Sequence, residues 1–190
     1  MTYIVSTPRL GIVDLTDVTT RAPGIGGLPS VSLEPFLGEI ATGYDNATTI
    51  ASGGEFIYLR VPASTAIPLG TLVQWTFATN PYTVVALPVL ATSKNTGASV
   101  AVSINAIASS TSVQYAWFQI QGRATALKTA VTVSPDTVIY ASGTAGRFKV
   151  LTSAGGQILG ARVASTATVT STTSTVILYL DRPKMQGQIT

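Results

Sequence analysis

Ser99-Val-Ala-Val-Ser-Ile-Asn-Ala-Ile-Ala108, a Ser/Thr turn, and then Val113-Gln-Tyr-Ala-Trp-Phe-Gln-Ile-Gln-Gly-Arg-Ala124 decide the fold. In the first half, Val100, Val102, Ile104, Ala106 and Ala108 fall on alternate positions. A period of two marks a strand with one buried face. In the second half, Tyr115 and Trp117 point one way, and Ala116, Phe118 and Ile120 the other. Large apolar groups on both faces place that strand deep in a sheet. Gly122 then ends the strand or allows a close backbone approach. This pair is the expected centre of a β-domain.

Outward from it, the same pattern continues. Glu55–Val61, Thr71–Thr79, Tyr82–Leu90, Ala124–Val133 and Thr137–Tyr140 read as strands. So do Arg147–Val150, Ile158-Leu159 with Val163–Thr170, and Thr175–Leu180. Ile67-Pro68-Leu69-Gly70 fits a type I turn, and Gly155-Gly156 a tight hairpin. Asp181-Arg182-Pro183 is expected to end the last strand. Nine of the twelve residues from Ala164 to Thr175 are Ser or Thr, which reads as a solvated hairpin. The expected fold class is all-β: a barrel or sandwich of about nine to eleven short strands over residues 51–190.

Residues 1–50 differ. Pro23, Gly24, Gly26, Gly27, Pro29 and Pro35 interrupt any period of 2 or 3.6. The expectation is an extended N-terminal arm whose 50 residues reach at most about 165 Å. It still carries Ile4, Val5, Leu10, Ile12, Val13, Leu15, Leu33, Phe36 and Leu37, more apolar side chains than a disordered tail usually holds.

Composition narrows the chemistry. Hydrophobic residues make up 46% of the 190, but charged residues only 10%, against about 25% in an average domain. So weakly charged a surface suits a protein covered by partners. The net charge of +3 includes no run of Lys or Arg, so nucleic acid is not an expected partner. Without cysteine there are no disulfides, thiolate metal sites or cysteine nucleophiles, and without histidine the commonest base and zinc ligand are missing. No secretory leader is expected from Met1–Pro8. No membrane span is expected either, since the longest apolar run, Val84–Ala91, is short and contains Pro88.

Candidate sites are sparse. Glu55 and Asp136 are the best pair of acids for glycoside hydrolysis, but nothing in their spacing favours it. Asp14 and Asp17 supply too few oxygens for a calcium loop. Ser93-Lys94 sits in an expected turn, and Lys128 and Lys149 read as solvated strand residues. Gly24-Ile-Gly-Gly27 lacks the Lys-Ser/Thr ending of a phosphate loop. Trp75, Tyr82, Tyr115 and Trp117 read as core before they read as a sugar platform. No cofactor or metal is expected, and no enzymatic activity.

Two segments carry a resemblance. Gly54-Glu-Phe-Ile-Tyr-Leu59 precedes a turn and the Leu72-Val73 strand; Gln114-Tyr-Ala-Trp-Phe-Gln-Ile-Gln-Gly122 follows the Val100-Ala-Val102 strand. Together they resemble the capsid decoration, or cement, proteins of tailed bacteriophages, with Ala116 where that family has a small Gly. The likeness spans residues 53 to 181 and includes none of the arm. It implies a virion structural protein, made in the host cytoplasm and seated on the outer capsid surface. The implied partners are the major capsid protein and copies of the chain itself, as dimer or trimer. On that reading Tyr3, Ile4, Arg9, Leu10, Ile12 and Leu15 are the arm's expected capsid contacts. A rival from another class is a carbohydrate- or receptor-binding module of a tail or fibre, which calls for exposed aromatics among Trp75, Tyr82 and Trp117.

Overall fold

A computed structural model describes residues 3–5, 15–20, 35–45, 52–76, 81–86 and 89–188. In chain order the strands are β1 (Tyr3–Val5), β2 (Val18–Thr19), β3 (Ile40–Asp45), β4 (Ser52–Val61), β5 (Leu72–Thr76) and β6 (Thr83–Ala86). A single helical turn, α1 (Leu90–Ser93), follows. Then come β7 (Val100–Ser103), β8 (Gln114–Gln119), β9 (Gln121–Leu127), β10 (Val138–Ala141), β11 (Phe148–Lys149), β12 (Gln157–Val163) and β13 (Thr175–Met185). Among the described residues, ten of these thirteen strands lie beyond residue 51, and the fold is all-β.

The first sheet runs β1-β3-β4-β6-β5-β7-β8-β2, and a second pairing of β4 with β8 closes β4, β6, β5, β7 and β8 into a barrel. Ile57, Leu59 and Val61 of β4 meet Ala116, Phe118 and the adjoining Ile120 inside it, with Val73, Val84 and Ala101. Alternation sends Phe56 and Tyr58 of β4, and Trp117 of β8, to the outside. There they pack with Leu15, Ala41 and Ile104, and Tyr115 packs against that cluster. The two-faced reading of residues 115–120 therefore holds.

The three strands in the described parts of residues 1–50 belong to this sheet. β1 pairs with β3, β3 pairs with β4 from Ile40↔Ile57 to Asp45↔Ser52, and β2 pairs with Ala116 and Tyr115 of β8. The physical reason is the outer aromatic face of β4 and β8, which needs a cover, and Leu15 and Ala41 supply it.

The second sheet, β11-β10-β12-β13-β9, curls into a half-barrel. Its inner residues, among them Ile139, Phe148, Ile158, Val163, Leu178 and Leu180, form one core with Leu72, Val100 and Val102 from the outer wall of the first barrel. The chain passes between the sheets at Gln119–Gly122, where β8 runs into β9. Gly122 has φ +92°, and a Cβ there would lie 2.0 Å from the Gly53 carbonyl oxygen; one on Gly54 would lie 2.0 Å from that of Gln121. The expected close approach is the crossing of β4 over this corner.

Several boundaries differ from expectation. The alternation of residues 100–108 is not one strand. β7 stops at Ser103, whose hydroxyl donates to the Asn105 carbonyl at 2.6 Å, and Ala106 and Ala108 are exposed while Ile107 is buried. The turn expected at 67–70 lies one residue later. The Thr71 N–H donates to Pro68 O at 3.1 Å, with Gly70 at φ +78°, the type II requirement. Gly155-Gly156 makes no hairpin, because β10 lies between β11 and β12. Among the described residues of the run 82–90, those in a strand are 83–86. β13 continues beyond Pro183 through a bulge: register moves from Ala161↔Leu180 to Leu159↔Lys184, with Gly160 at φ +72° and Arg182 at φ +45°. Proline is tolerated at such a bulge because it needs no ladder donor there.

Candidate functional site

Among the described residues no three metal-ligating side chains cluster. Glu55, at the β4 end of the crossing, is taken bidentately by Arg182 at 2.8 and 3.1 Å. Asp136 lies elsewhere, in the turn before β10, with φ +56° and its N–H bonded to Val163 O. Ser93 is buried and donates its hydroxyl to Val89 O at 3.2 Å, while the adjacent Lys94 is exposed. The structure thus brings neither candidate pair into a catalytic arrangement.

Lys128 corrects the sequence reading. It is fully buried, not solvated. The chain beyond β9 turns under two loops, and the Lys128 Nζ donates to Val131 O at 2.8 Å and Thr170 O at 2.9 Å. Burial pushes its pKa below the ordinary lysine value. Arg147 braces the same place by donating to the Lys128 carbonyl at 2.8 Å. This is a structural knot holding the Ser/Thr-rich loop, whose residues 166–168 and 170–174 are exposed as expected.

The expected contact residues divide three ways. Leu15 is 0% exposed and packed in the chain's own core, so its side chain is not available to a partner. Tyr3 and Ile4 are placed by their backbone, opposite Asp45 and Tyr44. Arg9, Leu10 and Ile12 lie outside the described residues. The aromatics named for a sugar platform are buried or half-buried against the chain's own cores: Trp117 is buried 5.1 Å from the Tyr58 ring, Tyr115 stacks at 6.2 Å on Tyr58, and Trp75 and Tyr82 pack against the barrel core.

One exposed aromatic on the sheets is a residue that sequence reading passed over. Tyr179 of β13 is 41% exposed on the outer face of the half-barrel, with the Arg162 guanidinium 5.6 Å above its ring. Two depressions meet at it. One, of about 260 Å³, is lined by Val138, Leu159, Gly160, Arg162, Tyr179 and Asp181. The other, of about 400 Å³, runs over Thr42, Gly43, Gly53, Gly54, Gln121 and Gly122. The missing side chains of the crossing create this second cleft. The signal for Tyr179 was present in the alternation of β13, where Val176, Leu178 and Leu180 are buried and Tyr179 falls on the other face. The chain matches no known family and no curated protein.

Proposed function

We propose that this chain is a capsid decoration protein that binds the outside of a phage head and strengthens contacts between major capsid subunits. One observation carries the reading. The two segments that resemble that family, far apart in sequence, are direct antiparallel neighbours, in register from Phe56↔Gln119 to Val61↔Gln114. Gly54 and Gly122, which begin and end them, lie at the same crossing. The resemblance therefore falls on one structural unit, the seam that closes the barrel. Sparse charge supports the same reading: 10% charged residues make a surface suited to being covered.

On this reading the β-domain supplies a rigid body and the shell supplies many equivalent sites. Weak individual contacts become strong for the particle because each copy joins subunits already held near one another. No cofactor takes part. The test is reconstitution: heads lacking the chain are incubated with it and sedimented. The reading expects saturable uptake in fixed proportion to capsid subunits and a higher melting temperature of the shell. Failure to sediment with heads overturns it, and glycan binding in its place would favour the fibre-module alternative.

A further inference from the structure

The outer face of the half-barrel carries a row of large side chains, some of them well exposed. Val138, Arg162, Tyr179 and Arg123 lie in one row across β10, β12, β13 and β9. Val138 and Tyr179 are 42% and 41% exposed, large for apolar and aromatic strand residues. Arg162 is exposed and stacks on Tyr179 but has no hydrogen bond or ion pair among the described residues. A guanidinium stacked by its face keeps its N–H edge free for a carboxylate. Two positions along β13 from Tyr179, on the same face, stands Asp181, opposite Gln121 and exposed. Its carboxylate also has no hydrogen bond or salt bridge there, because the adjacent Arg182 is held by Glu55.

We propose that this face binds a second copy of the chain about a two-fold axis, with Arg162 of each copy pairing with Asp181 of the other. The geometry favours self-association over an acidic or basic partner, since the groove holds one charge of each sign, Arg162 and Asp181, that makes no hydrogen bond or salt bridge among the described residues. Cross-strand neighbours lie about 4.8 Å apart and alternate residues on a strand about 6.7 Å apart. Arg162 is thus beside Tyr179 across the sheet, and Asp181 beside it along the strand. A two-fold axis in the interface that exchanges the Arg162 and Asp181 positions passes close to Tyr179. Each such axis makes two identical ion pairs around a central contact of Tyr179 with its counterpart, the self-complementary pattern of an isologous dimer. Leu159 and Val138 flank that centre and exclude water from it. The proposal concerns the free chain and stands apart from capsid binding.

Sedimentation equilibrium of the purified chain, without shells, tests it. Wild type should show a monomer–dimer equilibrium weakened by salt. Arg162→Asp and Asp181→Arg each place like charges opposite one another and should raise the dimer dissociation constant about ten-fold or more. The double exchange R162D/D181R should restore it to within about three-fold of wild type, because the pair is remade with its signs swapped. Both substituted positions are exposed, and circular dichroism checks folding of each variant. A wild type that stays monomeric, a closed trimer, or single reversals that leave dissociation unchanged would overturn the proposal.

Discussion

At the scale of single residues, two positions show how differently a sequence discloses its constraints. Gly122 was legible: a glycine ending a strand apolar on both faces signals a close approach, and the backbone of Gly53 lies there. Gly122→Ala should destabilise the chain by about 3 kcal/mol or more, from positive φ together with overlap on a carbonyl that cannot retreat. Urea unfolding would show this, and a midpoint within error of wild type would contradict the crossing. Lys128 was not legible. It follows Leu127, the last residue of β9, and shares the inward parity of Ala124 and Ala126, but a lysine's charge argues for solvent and overrode that parity in the sequence reading. Burial disfavours its charged form relative to water, so the native state releases this proton at a lower pH than the unfolded chain does. Across that interval the unfolded state holds more protons, and native stability rises with pH. Wild type should therefore gain stability relative to K128M as pH climbs from neutral toward the usual lysine range. Unfolding curves at stepped pH check this; a constant difference between the two proteins would refute it.

At the scale of elements, local alternation found most strands beyond residue 51 but misjudged their ends. Bulges and caps depend on partners far away in the chain. β13 shows why: Pro183 looks like a terminator, yet the strand absorbs it in a bulge opposite Gly160. The N-terminal segment was harder still. β2 has two residues, and β3 contains a glycine and follows a proline-rich run, so neither shows a period of its own. What recruits them is the outer face formed by Phe56, Tyr58 and Trp117, which no local pattern connects to Leu15. Leu15→Ala should then cost about 2–5 kcal/mol, the range for truncating a fully buried leucine. A segment that merely trails from the β-domain would leave the denaturation midpoint unchanged.

At the scale of the whole molecule, the all-β class followed from the spacing of strands and turns, while the division into a barrel and a half-barrel did not. The handover between them occupies only Gln119–Gly122, which in sequence looks like the end of one strand. The candidate surface was legible only in part, since surface groups such as Arg162 and Tyr179 acquire meaning from being neighbours across β12 and β13. The resemblance to decoration proteins rested on two segments, and their pairing as β4 and β8 makes them one unit. On the proposed function, this weakly charged β-protein is a component of a larger surface. The most direct measurement is the number of chains bound per shell when bare heads are saturated with the purified protein. The account predicts hundreds of copies in a constant ratio to the major capsid subunit; a handful per particle, or none, would contradict it.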